Sequence, residues 1–276
     1  MSLYADCHSG DCSPVFDRVY VSMLARGKSC VGWSLAAGFT DPGPYVYTVE
    51  AGTTGNPKAC DWQPVAAPEE NIATVIDPTQ RAYGANNNVH YRVRLETPEG
   101  IYYSPPAGPE ARLSRRDWRI AREIARKERL TARLAWQDGW LLKRRAAGPR
   151  CSCTDLQTGD VRDPECEKCY GTGYIMGYYE PISCFPVKLD PEARAANLDP
   201  NRGVVSDIRV TGRAIMQPLV EEYDVWVSDG SDDRYIVREI QHVAEIRGVP
   251  IVARLGLRPA DYSDPVYDLP IPRRND

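Results

Sequence analysis

The sequence predicts a mainly β protein: two strand-rich stretches separated by one long helix and a compact cysteine knot. Three observations carry that expectation. Short β-branched and aromatic runs, most of them alternating polar and apolar, fill residues 17–109 and 204–270. No Gly or Pro occurs from Glu110 until Gly139, which allows some 25 helical residues. The stretch 151-CSCTDLQTGDVRDPECEKCYGTGY-174 then holds Cys-x-Cys and Cys-x-x-Cys, twelve residues apart.

The chain has 276 residues, which suits two compact domains plus a linking element. No run of about 18 apolar residues exists, so no spanning helix is expected. The opening MSLYADCHSGDCSPVF has neither a basic start nor an apolar core, so a signal peptide is not expected and a reducing cytoplasm is. There, clustered thiols point first to metal. The net charge of −4 is unevenly spread. From Glu110 to Arg150, 13 Lys and Arg face 5 Asp and Glu, a surplus of eight, so the rest carries −12. Such a basic middle on an acidic chain suggests a specific electrostatic contact.

The first β stretch, residues 15–108, has strand candidates at 17–24, 31–36, 45–50, 72–76, 89–96 and 101–103, punctuated by Gly, Pro and Asn clusters. That spacing predicts a β-sandwich. Within it, Trp33, Tyr45, Tyr47, Trp62 and Tyr91 in YRVRLETPEGIYYSPP resemble a fibronectin type III domain. The resemblance implies a Trp in the second strand and a Tyr opening the sixth. Cys30 and Cys60 lie outside that pattern and read as free thiols.

The second segment, 110–145, reads as the helix. Ser114 is its N-cap, and Asp117 stands in the capping-box position. At 100° per residue, Arg115, Arg119, Arg122, Arg126, Arg129 and Arg133 fall on one line, with Leu113, Ile120, Ile124, Thr131 and Ala135 opposite. Trp118, Trp136 and Trp140 flank the stripe. A charge stripe is usually a solvated face. Here few acidic residues stand four places away to neutralise it, so it is also a candidate contact for an acidic protein surface or DNA phosphates. Asp138-Gly139 ends the helix, and WLLKRR leads into the cysteines.

The third segment, 150–185, is the knot. Two short chelating turns supply four thiolates, the ligand set of a structural zinc site. Cys151, Cys153, Cys166 and Cys169 are the expected ligands, with Tyr170-Gly171-Thr172-Gly173 letting backbone amides face the sulfurs. Disulfides or free thiols are the alternatives. Four ligands would leave no open position for a catalytic water, so the site is expected to be structural. Cys184 is spare, and Cys7, His8 and Cys12 are isolated. Residues 166–173 also match one copy of the CxxCxGxG element of J-domain co-chaperones. That element repeats in those proteins and occurs once here, so no function is carried over.

The last segment, 186–276, has strands expected at 204–216, 223–227, 234–240, 242–246 and 250–257, with Asp229-Gly230-Ser231-Asp232 as a hairpin turn. Five short strands predict a small barrel or sandwich, taken here as a small β-barrel, and the Pro-rich end from 264 predicts an extended tail. DVWVSDGSDDRYIVREIQHVAEIRGVPIVARLGL resembles small-barrel neck proteins of tailed bacteriophages, and the cysteine block followed by GYY resembles blocks in contractile-tailed phage proteins. The resemblance implies a non-enzymatic virion structural protein at the head–tail neck or connector, made in the host bacterial cytoplasm. It would form a ring of identical copies, contact other neck or tail proteins, and leave membranes alone; DNA in the channel is a further partner, and a tail or baseplate position an alternative. A zinc-containing nucleic-acid-binding protein is the rival. Residues 154–167 hold Asp155, Asp160, Asp163 and Glu165 against one Arg, which argues against it. No Gly-rich phosphate loop or HExxH motif suggests an enzyme.

Overall fold

The structure, a computed structural model, describes residues 15–22, 29–53, 56, 61–77, 89–108, 113–155, 158–190 and 210–272. It is mainly β, with one long helix and a cysteine cluster. The first unit is a two-layer sandwich. One layer is β1 (Phe16–Ser22), β2 (Ser29–Leu35) and β6 (Thr74–Asp77), in that order. The other runs β4 (Gln63–Pro64), β3 (Val46–Gly52), β7 (His90–Glu96) and β8 (Ile101–Tyr103), with β5 (Glu69–Glu70) also on β3. In β7, Tyr91, Val93 and Leu95 are fully buried between half-exposed His90, Arg92, Arg94 and Glu96. That is the two-residue period of a half-buried strand. Trp33 and Tyr47 meet across the layers, ring centroids 5.1 Å apart. Burying each such side chain contributes about 1.5–3 kcal/mol. The Tyr91 hydroxyl donates to buried Asp77 at 2.9 Å, which satisfies both polar groups inside the core.

The second unit is a six-stranded antiparallel sheet, β10 (Val187–Asp190), β11 (Val210–Ile215), β14 (Val249–Pro259), β13 (Arg234–Ile246), β12 (Val225–Ser228) and β9 (Gly139–Leu142). It curls into a half-barrel whose edges approach each other. Gln137 and Val187 exchange backbone hydrogen bonds at 3.0 and 2.9 Å, and Leu141 pairs with Ile182. Trp226, Leu255, Leu257 and Met216 fill the inside. Outside, Leu142, Val225, Val227 and Ile236 are covered by Val266 and Leu269. Register shifts near His242 and Ala244 bend the long β13.

Several expectations need correction. The helix expected within 110–145 is shorter: α1 is confined to Arg115–Ala135, and Gly139–Leu142 is β9, an edge of the half-barrel. The tail is not simply extended, because Pro265–Asp268 forms a 3-10 turn capped by Asp264 and held by Arg234, which donates to the carbonyls of Val266 and Leu269. The sequence gap between 240 and 242 is no break either, since β13 runs through it. Cys7, His8, Cys12, Cys60 and residues 191–209, which include the start of the strand expected at 204–216, lie outside the described residues.

The orientation of α1 also differs. Its inward line is Trp118, Ala121 and Ala125, packed on Ile215, Ile251 and Val252 of the half-barrel. Of the expected apolar face, Ile124 and Leu113 touch this cluster, whereas Ile120, Thr131 and Ala135 are exposed, as are Leu130 and Leu134. Small alanines let the helix axis come close to the sheet, and that contact fixes the rotation more strongly than the larger side chains on the flank. The capping box is present: Ser114 Oγ accepts from the Asp117 amide, and the Asp117 carboxylate accepts from the Ser114 amide at 3.3 Å.

Candidate metal centre

The chain enters and leaves the knot on two antiparallel arms. Arg145 N–H donates to Gly177 C=O, Tyr179 N–H to Lys143 C=O and Cys151 N–H to Gly173 C=O, each at 2.9 Å. The first pair of cysteines then opens a small hairpin, in which Thr154 bridges Val161 and Arg162 N–H donates to Cys153 C=O at 2.9 Å. The second pair curls tightly: Cys166 C=O accepts from the amides of Cys169 (3.3 Å) and Tyr170 (2.8 Å). That turn needs left-handed backbone. Gly173 has φ +82°, and a Cβ there would lie 3.1 Å from Thr154 Oγ1; Gly177 has φ +54°, and its Cβ would lie 2.4 Å from Cys169 C=O.

These turns bring Cys151, Cys153, Cys166 and Cys169 together, with all four sulfurs within 4.8 Å of one another. Sγ of Cys151 and Cys166 are 3.7 Å apart, and those of Cys153 and Cys169 are 3.4 Å apart. All four are free thiols at these distances. The group is the set of ligands the spacing singled out, and it could hold a metal ion. A tetrahedron of metal–sulfur bonds of about 2.3 Å places sulfurs about 3.8 Å apart, close to both pairs. The electrostatics differ within the set. The Lys168 amide pointing at Cys166 pulls its pKa down to about 7 against the effect of burial, with the Cys169 amide helping. Burial pushes Cys153 and Cys169 up. Cys166 is thus favoured as a thiolate, whereas burial works against the thiolate forms of Cys153 and Cys169.

The arms do a second thing that sequence reasoning missed. Lys143 is buried and donates to Asp224 and Glu221 of the half-barrel at 2.7 Å each. Burial pulls its ammonium down, but the two carboxylates outweigh this and hold its pKa above the usual lysine value. Two places on, Arg145 reaches the sandwich: it donates to Asn71 and stacks on Tyr179, 4.7 Å from the ring centre. Gly148 N–H donates to Phe39 C=O, and Ala147 joins the sandwich core. The available signal was Lys-Arg-Arg at the end of an apolar run, since a cation inside a strand pattern needs a buried partner.

The arginine stripe is divided rather than continuous. Arg119, Arg126 and Arg133 are exposed, and Arg126 pairs with Glu123 at 2.7 Å. Arg122 and Arg129 are half-buried, and Arg129 donates to Gln217 at 3.0 Å on its own chain. The side chain of Arg115 lies outside the described part. Cys30 is a buried free thiol, its pKa pushed up to about 12 by burial, and Cys184 is exposed. Neither is near enough to join the four-sulfur group. No described helix is long and apolar enough to cross a membrane. Compared with known proteins, the chain matches no family model, no curated protein and no solved structure.

Proposed function

We propose that this chain is a structural building block of a tailed-phage particle, seated in the head–tail neck as one copy of a ring, with a zinc ion stapling its knot. The observation that carries the reading is the weld between modules. Lys143 fixes the knot's entry arm to the half-barrel, Arg145 fixes it to the sandwich, and the four sulfurs lock the loop between the arms. A rigid multi-module unit with a closed metal site suits a load-bearing role, because four thiolates fill a tetrahedron and leave no position for a reacting water. Zinc fits best among common ions: it prefers four sulfurs in this geometry and brings no redox chemistry of its own. The sandwich supports the fibronectin type III reading through its strand order and the Tyr91–Asp77 bond.

The exposed cations Arg119, Arg126 and Arg133 are the proposed assembly contact, directed at an acidic surface of a neighbouring copy. Deleting the chain from its parent phage should yield filled heads and separate tails under the electron microscope. Intact infectious particles without it would overturn the neck assignment. Replacing the three exposed arginines with glutamate should block incorporation while leaving the circular dichroism unchanged. Normal incorporation of that variant would make the stripe an ordinary solvated face. Arg122 and Arg129 are left out because they contact their own chain or its core.

A further inference from the structure

A cavity of about 350 Å³ lies where the knot, the half-barrel and the 3-10 turn meet. Three arginines line it from three strands or their ends: Arg144 just after β9, Arg238 in β13 and Arg258 in β14. Two of them lie against the Tyr223 ring, Arg144 5.1 Å and Arg238 4.9 Å from its centre. Tyr170 closes the side built by the second cysteine turn.

Two of the three, Arg144 and Arg258, are not neutralised in the usual way. Neither the Arg144 nor the Arg258 guanidinium has a hydrogen-bond acceptor or a carboxylate partner among the described residues; Nε of Arg258 is buried and unpartnered. A buried cationic donor without an acceptor is costly, and the cost is relieved by an incoming anion. Three carboxylates also line the cavity, but none forms an ion pair with Arg144 or Arg258. Asp264 caps the 3-10 turn through one oxygen, accepting from Val266 N–H at 3.1 Å, and Glu165 and Asp261 are exposed.

We propose that this cavity is a binding site for a single small oxyanion of the phosphate type. Arg144 and Arg258 donate to its oxygens, and Tyr223 supports Arg144 and Arg238 against its ring. The acidic rim works against a long polyanion such as a nucleic-acid strand, whose neighbouring phosphates would face Glu165 and Asp261. Because residues 164–172 of the knot form one wall, the site should exist only while the knot is folded. The proposal needs a folded knot but does not depend on the neck assignment or on the identity of the metal.

The test is calorimetric titration of the full metal-loaded chain with inorganic phosphate, beside a short DNA duplex at equal phosphate concentration. The expected result is saturable phosphate binding that Arg144→Gln and Arg258→Gln each weaken by about tenfold or more, the scale of one lost charged hydrogen bond. Arg116→Gln on the exposed helix face should bind as the parent does. Circular dichroism checks the folding of each variant; should a glutamine variant unfold, Arg144→Lys or Arg258→Lys, which keep the charge but lose the fork, should show a smaller loss. No heat with phosphate at about 10 mM, weaker than the millimolar range such a site should reach, would overturn the proposal. So would unchanged binding in both folded variants. Duplex binding that is tighter than phosphate and falls in the same variants would overturn it in favour of a nucleic-acid contact.

Discussion

The sandwich and the knot are adjacent in space and stabilised by opposite means. The sandwich buries Trp33, Tyr45, Tyr47, Tyr91, Val93 and Leu95 in one apolar cluster. In the knot, the described residues of 151–173 contribute Cys151, Thr154, Cys169 and Thr172 to the buried set but no large aliphatic side chain. Its order comes from backbone turns, left-handed residues and four converging sulfurs. The difference teaches where each can fail. A core tolerates the loss of any one contact in proportion to the area lost, whereas a chelate loses its closure as a whole.

Removing the metal should therefore have the largest effect and the sharpest boundary. Binding of a structural zinc contributes on the order of 10 kcal/mol in small metal-folded units. A strong chelator, or Cys169→Ser, is expected to release the amides of 150–178 to fast hydrogen exchange while those of β3 and β7 stay protected. Simultaneous loss of protection in both regions would show that the sandwich depends on the knot.

Next is the weld of the knot's entry arm to the half-barrel. Lys143→Ala leaves Asp224 buried beside Glu221 without its cation, a change expected to cost about 3–5 kcal/mol. Lys143→Met, which keeps the stem, should cost no more than the alanine variant. Chemical denaturation of both against the parent reads the difference. Leu95→Ala is the complementary break: it removes a fully buried side chain from the sandwich and should cost about 2–5 kcal/mol, yet leave the metal content at parent level. The smallest effect belongs to α1. Ser114→Ala removes the capping hydroxyl and is expected to cost about 1 kcal/mol, seen as a small fall in thermal midpoint with the sheets intact.

The same contrast explains what was legible in the sequence. The four clustered cysteines could be named because their spacing is local: Cys-x-Cys and Cys-x-x-Cys each fix two sulfurs within a few residues, and only a turn is needed to join them. Strand identity in the sandwich was legible for a similar reason, through the period of two in residues 90–96. The existence and cap of α1 were legible from Ser114, Asp117 and the absence of Gly and Pro. Its rotation was not. Ala121 and Ala125 carry little weight in a hydrophobic pattern, and their role as the contact line depends on Ile215, Ile251 and Val252, which are some ninety or more residues away. β9 was missed because four residues are too short to assert a period, and its partner β12 lies far along the chain. The arginine cavity was hidden likewise: Arg144, Arg238 and Arg258 meet only once the half-barrel has curled.

The central claim is that a metal ion in the four-sulfur group holds the knot between the sandwich and the half-barrel. Elemental analysis of the chain purified without added metal, combined with thiol titration of the native protein, tests it most directly. The account predicts about one zinc per chain. It also predicts that Cys151, Cys153, Cys166 and Cys169 resist a thiol reagent until a chelator is added, when all four react together. Metal-free protein in which those four thiols react at once, with residues 150–178 still protected from hydrogen exchange, would contradict it.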